Sequence, residues 1–69
     1  MRQRFETLSR FFEVEAQGMI VCVRYGRLGE QGYTTLWSVS SPEIAKDDAR
    51  QKAHVKMKTG WTPVPVGRR

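Results

Sequence analysis

The chain has 69 residues, with 12 Lys and Arg against 7 Asp and Glu, and a net charge of +5. A chain this short forms one small domain, which excludes a two-domain protein. Hydrophobic residues make up 39% and charged residues 28%, a balance that argues against wholesale disorder.

Membrane and metal-centred functions are poorly supported by the sequence. The longest uninterrupted apolar run, residues 19–23, is far shorter than the roughly 20 residues of a membrane helix. No charged-then-apolar signal peptide opens the chain, so we expect a cytoplasmic protein. Cys22 alone cannot form an internal disulfide, and with His54 as the single histidine the chain lacks the four ligands of a structural zinc site. We therefore expect no metal and no cofactor.

The charge is distributed unevenly along the chain. All seven acidic residues lie in the first 50 positions. The charged residues after position 50 are all basic: Lys52, Lys56, Lys58, Arg68 and Arg69. Such a field favours anionic partners. The alternative is that these cations are solvated surface charges that aid solubility.

The N-terminal half predicts a lead-in and then strands. Residues 1–8 show no period and are expected to be a flexible lead-in to a domain at 9–66, with a basic tail at 67–69. From Arg10 onward apolar and acidic residues alternate, which predicts a strand with one wet face and with Phe12, Val14 and Ala16 toward the core. A turn at Gln17-Gly18 leads to a second strand at 19–25.

The second half predicts a glycine loop, a third strand and one helix. Three glycines recur at intervals of three within 26–32, which indicates a loop, and 33–39 resumes strand character. A helix should begin near Pro42, capped by either Ser40 or Ser41, and run to about Lys58. Its stripe against the sheet is expected to contain Ile44, Ala45, Ala49, Ala53 and Met57.

The predicted helix end has its own signals. Gly60 suits the left-handed position after a helix, and Trp61 could fold back on the last turn as a hydrophobic clasp. The prolines in 61–66 allow at most a short edge strand. Together these elements predict an α+β fold, a small and mainly antiparallel β-sheet packed against one α-helix.

Catalysis has little support. Phosphate-binding loops, dinucleotide fingerprints and nucleophile elbows are absent from the sequence. His54 is interpreted as a partly exposed helix residue, and Cys22 as a small hydrophobe within a strand. We expect a protein that is not an enzyme.

One segment, Arg24 to Gly29, combines chemistry suited to a phosphate. Arginine offers bidentate donors, glycine lets the backbone approach an oxyanion, and the ring of Tyr25 can lie against a sugar or base. The alternative is a strand-ending turn with Tyr25 in the core and two solvated arginines.

The ordered motifs Tyr25-Gly26-Arg27-Leu28-Gly29-x-x-Gly32, Ser41-Pro42-Glu43-x-Ala45 and Lys58-x-Gly60-Trp61 resemble those of the WGR domain, which is named for a Trp-Gly-Arg signature. The resemblance spans residues 10–64. This family occurs in DNA-dependent poly(ADP-ribose) polymerases, in bacterial proteins that look like molybdate-metabolism regulators, and as short standalone bacterial chains, which this one resembles most. The chain departs from the signature at Tyr25, where Trp is usual in the polymerases.

The resemblance implies a mainly antiparallel sheet with one packed helix and a role at DNA ends. In the polymerases the signature aromatic lies near the terminal sugar and the signature arginine near the 5′ phosphate, roles that fall to Tyr25 and Arg27 here. No ADP-ribosyl transfer is expected, because the sequence contains no catalytic domain.

Two functions remain open from the sequence. The first is a nucleic-acid-binding module for DNA ends or phosphate backbone, whose expected binding residues are Arg24, Tyr25, Gly26, Arg27, Gly29, Lys52 and Lys56. The second is a protein-interaction or regulatory module without DNA contact, docking through an exposed patch that includes Trp37 or Trp61.

Overall fold

The computed structural model describes residues 2–66, and these form one antiparallel sheet and one helix. In chain order the elements are β1 (Arg2–Glu6), β2 (Arg10–Gln17), β3 (Ile20–Arg27), β4 (Tyr33–Ser38), α1 (Pro42–Lys58) and β5 (Thr62–Val64). The α+β prediction is confirmed.

The sheet has the strand order β4-β3-β2-β1-β5, and each neighbouring pair is antiparallel. α1 packs across β2 and β3 on one side of it, here called the helix face. The opposite side is called the open face. Because side chains alternate between faces and directly paired residues share one, the register assigns each strand residue to a face.

The core lies between the helix face and α1. The buried apolar residues there are Phe5, Phe12, Val14, Ala16, Val21, Val23, Ala45, Ala49 and Ala53, with Trp37, Val39 and Trp61 packed against them. The prediction that Phe12, Val14 and Ala16 face the core is confirmed.

The ends of α1 follow from local chemistry. The Ser41 hydroxyl accepts a hydrogen bond from the Ile44 N–H at 3.1 Å, and Pro42 occupies the first turn. Ser41 is therefore the cap, and the Ser40 alternative is wrong. At the other end Gly60 has φ 92°, and the Trp61 N–H donates to the Lys56 carbonyl at 3.1 Å, as predicted for a glycine-terminated helix. No helix among the described residues is long and apolar enough to cross a membrane.

The prediction that Ile44 and Met57 belong to the helix stripe against the sheet is wrong. Ile44 and Met57 are 46% and 55% exposed, whereas Ala45, Ala49 and Ala53 are buried. These three alanines recur at every fourth position, so they let α1 approach the sheet closely. Larger side chains do not fit beneath such an approach and lie on the flanks of the helix.

The N-terminal segment also differs from the prediction. Residues 2–6 form β1, which lies between β2 and β5, and Phe5 is 1% exposed opposite Phe12. The sequence shows no period here because Phe5 is the only large apolar residue that β1 contributes to the core. β3 extends to Arg27, so Gly26 and Arg27 belong to a strand and the loop begins at Leu28. The predicted basic tail, 67–69, lies outside the described residues.

Candidate functional site

A groove opens where the helix face of the sheet extends past the C-terminal end of α1. It has a volume of about 710 Å³ and is called the terminal groove. The lining residues with chemistry to offer a ligand are Arg10, Tyr25, Arg27, Tyr33, Lys56 and Trp61.

Two arginines lie opposite each other at the end of the β2–β3 pair. Arg10 pairs with Arg27 in the strand register, and both are exposed. Within residues 2–66 neither guanidinium has an acidic partner within 4 Å. Like charges directly opposite across antiparallel strands are destabilising. This pair therefore concentrates positive charge where a bound anion would relieve the repulsion.

A pair of tyrosine rings lies beside the arginines. Tyr25 and Tyr33 are direct partners in the β3–β4 register, with ring centroids 5.9 Å apart and ring planes 42° apart. Tyr25 is 46% exposed and Tyr33 is 72% exposed. The alternative interpretation, in which Tyr25 lies in the core, is therefore wrong. The rings provide an apolar surface on which a sugar or base could rest.

Lys56 brings a third cation to the groove from the last turn of α1. Its Nζ lies 4.6 Å from the centroid of Phe12 and 4.5 Å from that of Trp61. The contact of Lys56 with the Trp61 ring agrees with the prediction that Trp61 folds back on the last turn of α1. Trp61 also packs edge-on against Phe12, with centroids 6.4 Å apart. The groove also contains one acidic residue, Glu30, whose N–H donates to the Arg27 carbonyl at 3.1 Å and closes the turn.

Arg24 is not brought together with Tyr25 and Arg27, because adjacent strand residues point to opposite faces. On the open face its Nε and Nη2 each donate to Glu13 Oε1 at 3.3 Å, and its Nη1 donates to the Gln31 carbonyl at 3.1 Å. Its guanidinium also lies over the Phe11 ring, 5.0 Å from the centroid. Arg24 is thus occupied by partners within the protein.

Glu13 is the centre of this open-face cluster. Arg4 donates to its Oε2, and Arg2 approaches its Oε1 at 3.9 Å. Burial raises the pKa of Glu13, but hydrogen bonds from Arg4 and Arg24 and their positive charge outweigh it and hold that pKa below its usual value. In turn, burial lowers the pKa of Arg4, but the bonds to Glu13 and Glu6 raise it overall.

Phe11 corrects the prediction that this side of β2 is wet. It is 1% exposed, with Arg4 and Arg24 over its ring. Gly26 and Gly32 pack beneath it, and a side chain on Gly32 would overlap the Tyr25 carbonyl oxygen and the Phe11 ring. Gly32 also has φ 73°, a conformation that favours glycine. Close packing thus explains both glycines, because a side chain on Gly26 would in turn overlap the Cα of Gly32.

The remaining predicted residues lie apart from the arginine pair. Gly29 is at the tip of the 28–32 loop with open space around it. Lys52 lies one turn before Lys56, with its Nζ 2.8 Å from Asp48 Oδ1 and 4.9 Å from the Trp37 centroid. The hydrogen bond from Lys52 lowers the pKa of Asp48. A hydrogen bond from Trp37 and the charge of Lys52 lower that pKa further, and burial opposes them. Within residues 2–66 no three His, Cys, Asp or Glu side chains converge as a metal site would require.

Sequence reasoning missed two groove residues, Arg10 and Tyr33, and considered Trp61 only for protein docking. Arg10 and Tyr33 are distant in sequence from Arg27 and Tyr25, and the strand register alone places them alongside. The alternation of β4 could have assigned Tyr33 to the helix face, but not to this end of it.

Comparison with known proteins identifies the family. The family model of the WGR domain matches residues 2–68. The chain belongs to the WGR domain family. Domains of this family are generally nucleic-acid-binding modules rather than catalytic ones.

A solved structure supports the same assignment. The chain is similar to a protein from Bacteroides fragilis whose crystal structure superposes with a TM-score of 0.89 at 28% sequence identity. The similarity covers 94% of this chain and 20% of that one, so this chain matches about one fifth of that protein. A search of curated proteins found no significant match.

Proposed function

We propose that this WGR domain binds nucleic acid in the terminal groove, with a terminal 5′ phosphate between Arg10 and Arg27. The observation that carries the proposal is the pairing of these arginines across β2 and β3 without an acidic partner among the described residues. A phosphate accepts hydrogen bonds from two guanidinium groups and neutralises both. No substrate turnover is part of this function.

The tyrosine pair completes the recognition of an end. Tyr25 and Tyr33 flank the arginines and present exposed ring surface. The terminal sugar or base rests on these rings while the phosphate binds the arginines. Tyr25 thus takes the role that the signature aromatic has in the family, with a smaller ring.

Lys56 provides the longer-range attraction, and Arg24 has no direct role. Lys56 reaches the groove from the helix, whereas Arg24 lies on the open face and is bound to Glu13. Because phosphate contacts dominate, binding is expected to be largely independent of sequence and to weaken steeply with salt.

The test is the affinity of short duplexes with and without a 5′ phosphate, measured by fluorescence anisotropy at two salt concentrations. Arg27→Ala should lower affinity for the phosphorylated end by about 10- to 100-fold, the loss of one or two charge-assisted bonds. Arg50→Ala is the matched control, because Arg50 is an exposed arginine on α1 whose one ion pair within residues 2–66 is with Asp47. Equal losses on both kinds of end would contradict the phosphate site.

The alternative, a protein-interaction module, has weaker support. Trp37 and Trp61 both pack partly against the core. The two most exposed large apolar residues of the sheet, Tyr33 and Leu36, lie on opposite faces and form no joint patch. Absence of binding to any duplex at low salt would favour this alternative.

A further inference from the structure

A second groove adjoins the terminal groove on the helix face. It runs between β4 and α1, has a volume of about 470 Å³, and is called the side groove. Thr35, Trp37, Lys52 and Val55 line it. Both grooves share Phe12, Val23 and Lys56, so they lie side by side on the helix face and are together called the channel.

The channel repeats the same two chemistries along its length. On β4, Tyr33 and Trp37 are four residues apart on the same face, about 13 Å at the usual rise of a strand. On α1, Lys56 and Lys52 are one turn apart, about 6 Å along the helix. Lys52 is paired with Asp48, whereas Lys56 has no acidic partner within 4 Å among residues 2–66. Among the described residues no acidic side chain lines the side groove. Aromatic rings beside cations suit a polyanion whose bases are unpaired.

Trp37 is already held in place before any ligand arrives. Its indole N–H donates to Asp48 Oδ2 at 2.9 Å, and Lys52 donates to the other oxygen of the same carboxylate. These bonds fix the ring beside the ammonium group. A base that stacks there displaces the Lys52 ammonium, which lies 4.9 Å from the ring centroid, but orders few other side chains on binding.

We propose that the side groove binds the unpaired nucleotides that follow the terminal phosphate, so that the preferred ligand is a 5′-phosphorylated single-stranded end. This inference rests on the phosphate site proposed for Arg10 and Arg27. Bases within a duplex are covered by their stacked neighbours, and only an unpaired base can lie on Trp37. A length of about 13 Å holds at most about four nucleotides at the rise of a helical strand, and fewer when the strand is extended.

The experiment uses duplexes with a phosphorylated 5′ overhang of 0, 1, 2, 3, 4, 6 or 8 thymidines. Affinity should rise at least about fivefold from the blunt duplex to four nucleotides, the gain of one stacked base, and then level off.

The two tryptophans report separately on the two grooves. Trp61 lines the terminal groove and Trp37 the side groove. In a Trp61→Phe variant, whose remaining fluorescence comes from Trp37, overhangs should change the emission and the blunt duplex should not.

A charge variant tests the side groove without disturbing the core. Val55→Glu places a negative charge at a position that is 56% exposed and lines the groove. It should remove the overhang gain and keep the preference for a 5′ phosphate on the blunt duplex. Ile44→Glu is the matched control, because Ile44 is an exposed apolar residue of α1 that lines neither groove.

The outcomes separate the two proposals. Phosphate-dependent binding of the blunt duplex, with no overhang gain and no Trp37 response, would overturn the side-groove proposal and leave the phosphate site standing. An overhang gain that does not depend on the 5′ phosphate, or on Arg27, would instead overturn the phosphate site. An equal effect of Val55→Glu and Ile44→Glu would also overturn the side-groove proposal.

Discussion

The two faces of the sheet use arginine in opposite ways. On the open face Arg4 and Arg24 surround Glu13, and each makes hydrogen bonds within the protein. On the helix face Arg10 and Arg27 lie opposite each other with no acidic partner within 4 Å in the described part of the chain. The same residue type therefore stabilises the fold on one face and leaves charge available for a ligand on the other.

The comparison shows that the position of a cation in a motif does not determine which partners it has. Arg24 and Arg27 are three residues apart, and the sequence groups them together. The structure places them on opposite faces. The guanidinium of Arg24 donates to Glu13 and Gln31, whereas that of Arg27 has no such partner among the described residues. Three variants and one pH dependence, in order of decreasing effect, test this contrast.

The largest effect is expected from removing the buried ring beneath the arginines of the open-face cluster. Phe11→Ala removes a ring that is 1% exposed and lies under two guanidinium groups. The free energy of unfolding should fall by about 3 to 5 kcal/mol in urea denaturation. Leu36→Ala, at an exposed site on the same face, should cost far less; equal costs would show that Phe11 is not a packing centre.

Removing the carboxylate charge of the cluster should have the next largest effect. Glu13→Gln leaves Arg4 and Arg24 without their anionic acceptor, and we expect a loss of about 1 to 3 kcal/mol of unfolding free energy. The control is Asp47→Asn, which breaks an exposed ion pair with Arg50. That variant should lose well under about 1 kcal/mol, and a loss as large as that of Glu13→Gln would contradict the account.

Stability should also depend on pH through Glu13. Since its pKa is lower in the folded protein than in the unfolded chain, its ionised form stabilises the fold above the unfolded value, about 4.3. That contribution is lost as pH falls through the lowered folded value. Urea midpoints between pH 7 and 3 should decline below about pH 4, and less so in Glu13→Gln. The variant should keep a residual decline, because the pKa of Asp48 is also lowered.

The smallest effect is expected on the helix face. Arg27→Gln relieves repulsion from Arg10, so the unfolding free energy should stay the same or rise by a few tenths of a kcal/mol. Thermal unfolding without ligand measures this change. A marked loss of stability would show that Arg27 has a structural role that its contacts do not reveal.

Local signals predicted most of the fold. Ser41, Pro42 and Gly60 mark the bounds of α1, because capping depends on residues close in sequence. β1 was missed because it is stabilised by pairing with β2 and β5, and β5 is more than 50 residues away. The sequence of β1 contains too few apolar residues to predict a strand.

The candidate site was predicted less completely than the fold. Side chains alternate between the two faces of β3, so the sequence alone could have placed Arg24 on the face opposite to Tyr25 and Arg27. The approach of Arg10 to Arg27 depends on the register of β2 and β3, which no local pattern specifies. The close packing of Gly32 beneath the Phe11 ring likewise depends on tertiary structure.

The most direct test of this contrast compares Arg27→Gln with Arg24→Gln for the ratio of affinities between 5′-phosphorylated and unphosphorylated duplexes. Both variants lose one positive charge, and circular dichroism establishes that each is folded under the binding conditions. The account predicts that Arg27→Gln abolishes the preference for phosphate, whereas Arg24→Gln keeps it and lowers only stability. Loss of the preference in Arg24→Gln with retention in Arg27→Gln, or equal losses in both, would contradict it.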